Sequence, residues 1–196
     1  MKAGVIAVQG AVAEHLKMLR TTMEKLGIQG QAVPVRSRRE LEAVDYLIIP
    51  GGESTTISRL LKRFDLSERI VELGNGGLPI MGTCAGCILL AKEGDEEVAK
   101  TGTELLHLMD LAVERNAFGR QRESFEVPIE VKGLKDKFPA VFIRAPAISR
   151  TWGKCERLAE YEGRTVMAKQ GNILALTFHP ELSGDSGIHE MFLQMP

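Results

Sequence analysis

The chain has 196 residues, 44% of them hydrophobic, and a formal net charge of −1. That length suffices for one domain with a complete core. The near-neutral charge gives no general pull toward nucleic acid, and no apolar run approaches the roughly 20 residues a membrane span needs.

The first apolar stretch, Met1 to Val8, is too short for a signal peptide and reads as a strand over Ala3 to Val8. Val12, Leu16, Leu19, Met23 and Leu26 then fall at helical spacing, and Gly27 stops that helix. Ala32 to Val35 is a short strand, and Ser37 caps a brief helix through Leu41. Asp45 to Pro50 is a buried strand leading into Gly51-Gly52-Glu53-Ser54. Helices follow over Thr55 to Phe64 and Leu66 to Gly74. This alternation predicts an α/β fold of three layers, α/β/α, around a mostly parallel central sheet. Ligands of such sheets bind at the carboxyl ends of the strands.

The next strand ends in Gly82-Thr83-Cys84-Ala85-Gly86-Cys87, and a helix restarts by Ile88. A sharp strand-to-helix turn with small residues on both sides of Cys84 holds its sulfur out of the chain. The helix would aim its free N–H groups at that sulfur, which favours the thiolate. Serine hydrolases place their nucleophile in the same kind of turn. The ordinary alternative for a lone cysteine is a small buried hydrophobe. Cys84 and Cys87 also form a C-x-x-C pair, which leaves a redox dithiol open. With Cys155 isolated and no second pair, a zinc site is disfavoured and no metal is expected. Three cysteines at irregular spacing argue against a disulfide scaffold and for a reducing cytoplasm.

The second half changes character. Phe125 to Val131 alternates with period two, and Val141 to Pro146, Thr165 to Ala168 and Ile173 to Leu176 are further strands. Gly-containing turns between them predict antiparallel additions at one edge of the sheet. No linker or repeat interrupts the chain, so residues 1–196 read as a single domain.

Ile173 to Leu176 leads directly into Thr177-Phe178-His179-Pro180-Glu181. Pro180 keeps His179 out of the helical region. An extended backbone would then point His179 and Glu181 to the same side. Glu181 would accept from one imidazole nitrogen while the other faces the Cys84 sulfur, the arrangement of nucleophile, base and orienting carboxylate.

With these residues in view, the chain resembles the class I (triad) glutamine amidotransferases, and among them the glutaminase subunits of pyridoxal 5′-phosphate synthase. The matching segments are Gln9-Gly10-Ala11-Val12 with Glu14-His15, Pro50 to Thr56, Gly82 to Gly86, Glu114 to Gln121, Phe142 to Pro146 and Phe178 to Glu181. They span nearly the whole chain.

The resemblance implies hydrolysis of L-glutamine to glutamate and ammonia without a cofactor, by a triad of Cys84, His179 and Glu181. It implies an oxyanion hole from the Ala85 N–H and the Gly51-Gly52 turn. It implies glutamine binding by Gly52, Glu53, Ser54, Arg115, Ile143 and Arg144. Arginines suit a free carboxylate, and Glu53 suits the ammonium directly or through a neighbour. Without the resemblance, Arg115 and Arg144 would read as surface ion-pair residues and Glu53 as a charge favouring a helix start. The implied partner is a (β/α)8-barrel synthase subunit in a large hetero-oligomer, with no nucleic acid or membrane involved. Docking of that partner is expected to set the Gly51-Gly52 peptide, with contacts along Gln9 to His15.

Glu14-His15 reads as a solvated or partner-facing patch, His107 and His189 as surface histidines, and Met18 and Met23 as core filler. Two departures from the family pattern stand out. Cys87 occupies a usually aliphatic position. The end at Met195-Pro196 is shorter than in many relatives, which leaves a partner contact by a C-terminal extension in question. The competing readings are a glutaminase of another synthase, such as imidazole glycerol phosphate synthase, and a deglycase or chaperone with a cysteine at the same turn.

Overall fold

A computed structural model of the protein describes residues 1–115, 117 and 124–196. Asn116, Phe118, Gly119, Arg120 and Gln121 of the matching segment Glu114 to Gln121 lie outside the described residues. The first half alternates as read from the sequence. It comprises β1 (Lys2–Ile6), α1 (Val12–Leu26), β2 (Gln31–Val35), α2 (Arg38–Leu41), β3 (Tyr46–Ile49), α3 (Ser54–Arg63), α4 (Ser67–Asn75), β4 (Ile80–Thr83) and α5 (Ala85–Leu90). Helix α1 ends where Gly27 takes a left-handed φ of 65°, the conformation that glycine adopts without a Cβ penalty. Ser37 and Glu40 form the reciprocal cap of α2.

Next come β5 (Ala91–Gly94), α6 (Glu96–Thr101), β6 (Met109–Glu114), β7 (Ser124–Ile129), β8 (Phe138–Ile143), β9 (Ala147–Thr151), β10 (Glu156–Tyr161), β11 (Arg164–Gln170), β12 (Ile173–Leu176) and α7 (Gly187–Leu193), with a 3-10 turn at Pro180–Leu182. The main sheet runs β2-β1-β3-β4-β12-β11-β9-β6-β5, with β10 paired to β11. Strands β1, β2, β3, β4 and β12 are parallel, while β11, β9 and β6 pair antiparallel.

Two expectations are corrected. Ile173 to Leu176 is not an antiparallel addition at an edge. It lies parallel to β4 in the middle of the sheet, registered Ile173 to Ile80 and Leu176 to Thr83. Phe125 to Ile129 and Val141 to Ile143 also lie off the main sheet, in a separate antiparallel pair of β7 and β8. The first correction matters most, because neighbouring parallel strands end side by side. Thr83 and Leu176 are partners, so the turns after them, carrying Cys84 and His179, are adjacent.

Alternation along the central strands divides the core into two layers. Leu47 and Ile49 of β3, Ile80 of β4 and Ile173 and Ala175 of β12 face one side, packing with α3, α4 and α5. Ile48, Met81, Leu174 and Leu176 face the other, with α1, α7 and the β7–β8 pair. Both faces of the parallel region are therefore covered, which explains its near-continuous apolar sequence. Among the described residues no helix is long and apolar enough to cross a membrane.

Candidate active site

Cys84 is the only residue between β4 and α5, with φ 50° and ψ −102°. For a residue with a Cβ that backbone costs on the order of 1–3 kcal/mol, and the surroundings must enforce it. They do so by close approach. A Cβ on Gly82 would lie 2.5 Å from Leu90 Cδ1 and 2.6 Å from the Gly86 carbonyl oxygen, and a Cβ on Gly86 would overlap the Ile49 carbonyl oxygen. The Cys84 N–H donates to the Leu176 carbonyl at 2.8 Å, which ties the turn to the end of β12. The sulfur lies 4.0 Å from the Ile143 carbonyl oxygen.

His179 follows β12 with φ −108° and ψ 86°, outside the helical region. Its N–H donates to the Val141 carbonyl at 2.8 Å. The residues after it form a 3-10 turn, not the extended chain that the sequence suggested. That turn still brings Glu181 Oε1 within 2.7 Å of His179 Nδ1. His179 and Glu181 are 7% and 6% exposed. Burial opposes a charge on His179. Its hydrogen bonds to Cys84 and Glu181, with the negative charges of both, outweigh burial and raise the imidazole to about 10. These partners therefore favour the charged form of His179 over that of a free imidazole.

The Gly51-Gly52 turn packs on this pair. A Cβ on Gly51 would overlap the His179 ring and lie 3.3 Å from Cys84 Cβ. The Gly51 carbonyl accepts from the Ala11 N–H at 3.0 Å. In a trans peptide the Gly52 N–H then points away from Ala11. Gln9 Oε1 accepts from the Glu53 N–H at 2.9 Å. The loop between β1 and α1 thus fixes both peptides of the glycine turn.

A pocket of about 320 Å³ opens over Cys84, lined by Gly52, Glu53, Ser54, Ala85, Ile88, Arg115, Arg144 and Pro146. All but one of the sequence-predicted binding residues line it. The exception, Ile143, approaches the sulfur through its carbonyl. The Ser54 hydroxyl is buried without a hydrogen-bond partner. Arg144 has a positive φ of 43°, a strained backbone at the pocket rim. Ile88 and Pro146 were missed by sequence reading, since apolar side chains carry no chemical signal of their own.

Glu53 is the N-cap of α3 and accepts from the N–H groups of Thr55 at 3.1 Å and Thr56 at 2.7 Å. Its carboxylate also pairs with Arg115 Nη2 at 2.5 Å. Arg115 Nη1 donates to Thr101 Oγ1 at 3.0 Å and Thr55 Oγ1 at 3.3 Å. The helix-start and ion-pair readings of Glu53 and Arg115 therefore hold together with their place in the pocket. Burial works against ionisation of Glu53, but the Thr55 and Thr56 donors and the Arg115 charge hold it down at about 2.

A folded value below the ordinary 4.5 means stability that is present above pH 4.5 and lost as pH falls through about 2. The urea midpoint of wild type should therefore exceed that of Glu53→Gln at pH 6, and the gap should close between pH 4.5 and 2. A gap independent of pH would show that Glu53 acts by shape alone.

Two histidine expectations are corrected. His15 and His189 are both fully buried, because each falls within the inward stripe of its helix. His15 sits four residues before Leu19, and His189 three before Phe192. Glu14 is exposed and so is His107, as read. Met23 is core, while Met18 is only half-buried.

The profile of the SNO glutamine amidotransferase family matches residues 5–196. A protein of Archaeoglobus fulgidus named pyridoxal 5′-phosphate synthase subunit PdxT is 52% identical over 195 residues, covering 100% of this chain and 98% of its own. One of the same name from Methanosarcina mazei is 51% identical over 193 residues, covering 98% and 97%. A solved structure described as a glutamine amidotransferase is 41% identical, with a TM-score of 0.86 over 98% of this chain and 97% of its own. PurLQS from Thermotoga maritima shares the fold at 15% identity, with a TM-score of 0.68 over 98% of this chain and 96% of its own. The chain belongs to the SNO glutamine amidotransferase family.

Proposed function

We propose that the protein, acting as one domain over residues 1–196, hydrolyses L-glutamine to glutamate and ammonia, as the glutaminase subunit of pyridoxal 5′-phosphate synthase. The observation that carries this reading is Cys84 at the floor of an amino-acid-sized pocket, packed against the same glycine as a His179 that Glu181 holds at 2.7 Å. In this reading the α-carboxylate meets Arg115 and Arg144, and the Ser54 hydroxyl supplies a free polar partner. The α-ammonium lies by Glu53.

The Cys84 sulfur attacks the side-chain carboxamide carbon. The oxygen takes the negative charge, facing the Ala85 N–H and the Gly51-Gly52 turn. As the tetrahedral species collapses, His179 gives its proton to the nitrogen, and the C–N bond breaks to release ammonia. His179 then takes a proton from water, which attacks the thioester and frees glutamate and the sulfur.

The synthase partner is read as a (β/α)8-barrel subunit in a large hetero-oligomer, in the cytoplasm, receiving the ammonia to build pyridoxal 5′-phosphate from ribose 5-phosphate and glyceraldehyde 3-phosphate. Its docking would set the Gly51-Gly52 peptide. The Ala11 and Gln9 hydrogen bonds to this turn support that, because they couple the peptide to the start of α1. A shift of two loop states by docking is worth on the order of 1–3 kcal/mol, roughly 5- to 150-fold in rate.

The test is glutamate release with and without the synthase subunit, in wild type and Gly52→Ala. A Cβ at 52 would lie 2.5 Å from Gln9 Oε1 and 3.1 Å from Gly10 Cα, so the variant should respond weakly to partner. Full activity of the isolated chain, unchanged by partner, would remove the control step. Absence of glutamate release in the complex would remove the function.

A further inference from the structure

Behind the triad lies a buried pair of histidines that the mechanism above does not use. His15 Nδ1 is 3.2 Å from His189 Nε2, and both rings are wholly buried. His15 Nε2 is 3.1 Å from Thr83 Oγ1 and 3.3 Å from Glu181 Oε2. Thr83 immediately precedes Cys84, so His15 touches both halves of the site. Glu181 uses Oε1 on His179, while its Oε2 is buried with no hydrogen bond of its own. His15 Nε2 is the donor-capable group that faces it.

Two tautomer sets satisfy the His189 and Thr83 contacts, and the Glu181 carboxylate distinguishes them. Burial, reinforced by the positive charges that His189 and His179 would carry, pushes His15 well below its ordinary value, so it is neutral. Burial likewise lowers His189 to about 3. Thr83 Oγ1 can donate or accept, whereas a carboxylate oxygen only accepts, so the 3.3 Å approach of Glu181 Oε2 favours the hydrogen on His15 Nε2. Its Nδ1 is then an acceptor, and His189 must donate from Nε2. That leaves His189 Nδ1 as a bare lone pair, in agreement with its lack of any partner. The opposite tautomers would set a lone pair against the carboxylate and bury an unpaired N–H on His189, the costlier defect.

We propose that His15 is a positioning residue that holds Glu181 through Oε2, so that Oε1 keeps the His179 ring aimed at Cys84. The proposal rests on the triad reading above. It gives α1 a direct role in the site, since the same helix start also holds the Gly51-Gly52 turn. Loss of the Nε2 donor would let the carboxylate rotate and the imidazole drift. None of the His15 partners, His189, Thr83 and Glu181, lines the pocket, so turnover should fall without a change in KM.

The test uses the full chain in complex with its synthase subunit, with glutamate release as the readout. His15→Leu is expected to lower kcat by about 10- to 100-fold at constant KM, the scale for groups that orient a reacting residue. His15→Gln carries an amide nitrogen near the Nε2 position and should restore most of the rate. His15→Asn keeps a group near Nδ1 but cannot reach Glu181, and should resemble the leucine variant. It replaces that variant if leucine does not fold.

The deciding measurement is the double variant. If His15 acts through Glu181, adding His15→Leu to Glu181→Gln costs little beyond Glu181→Gln alone. Additive losses, a KM that moves with kcat, or wild-type kcat in the asparagine variant would each overturn the proposal. A Glu181→Gln protein with full activity would instead overturn the triad reading.

Discussion

Replacing Cys84 by alanine is expected to abolish glutamine hydrolysis while leaving the fold intact. The sulfur is the only protein nucleophile in the proposed mechanism, and loss of the nucleophile of such a unit typically costs about 10⁶-fold in kcat. Alanine keeps the Cβ that already tolerates φ 50°, so no new backbone strain enters. The thermal midpoint should stay close to wild type. Labelling by a glutamine-like electrophile such as diazo-oxonorleucine separates Cys84 from the other two cysteines. Cys87 is 0% exposed, and burial first, then the charges of Cys84 and Cys155, push its thiol far up. Burial and the charges of Asp110 and Glu156 raise Cys155 to about 11. Neither is a competent nucleophile at neutral pH. Peptide mapping should place the adduct on Cys84, and an adduct on Cys87 would overturn the assignment.

The parts of the site legible in the sequence are those that sit where one element ends and the next begins. Cys84 lies between an apolar run and a helix, and His179 follows another apolar run, so each reads as lying at a strand end. What the sequence did not reveal is that the two strands are neighbours. Strand order is a tertiary property. β12 reaches the centre of the sheet only after β5 to β11 have passed through the antiparallel side and the β7–β8 pair. Nothing local in Ile173-Leu174-Ala175-Leu176 records that path.

Strand β6 was overlooked although Met109, Leu111 and Val113 alternate cleanly, but the other three missed strands have weak patterns for an identifiable reason. Lys92-Glu93 of β5, Ser149-Arg150 of β9 and Glu156-Arg157 of β10 put polar residues on exposed faces near the edge of the sheet. Their apolar content is too small to mark a strand. Helix α7 has seven residues, too few for periodicity to stand out. Missing it also hid His189. His15 is a different case. Its position between Val12 and Leu19 already placed it on the inward stripe, but a charged neighbour, Glu14, drew the pair to the surface reading. A helix face changes within one residue, and adjacent positions need separate accounts.

His179→Asn is expected to be nearly as damaging as loss of the sulfur, and Glu181→Gln clearly milder. The imidazole must release a proton to the departing ammonia and take one from water, and an asparagine amide does neither. About 10⁶-fold is the scale for such a base, against about 10⁴-fold for the carboxylate that orients it. The geometry agrees with that ranking. Glu181 reaches the reaction only through His179 Nδ1, and a glutamine oxygen can still accept from that nitrogen. What glutamine lacks is the negative charge, one of the influences that raise His179 to about 10. Glu181→Gln should therefore also lower the His179 titration, measurable by NMR of the imidazole. A raised folded pKa contributes stability that is full below the ordinary 6.5 and lost as pH rises through about 10. The stability gap between wild type and His179→Asn should accordingly shrink from pH 6 to pH 10, and the Glu181→Gln protein should show that loss at lower pH. If Glu181→Gln proved slower than His179→Asn in glutamate release, the proton carrier and the orienting group would have to exchange roles.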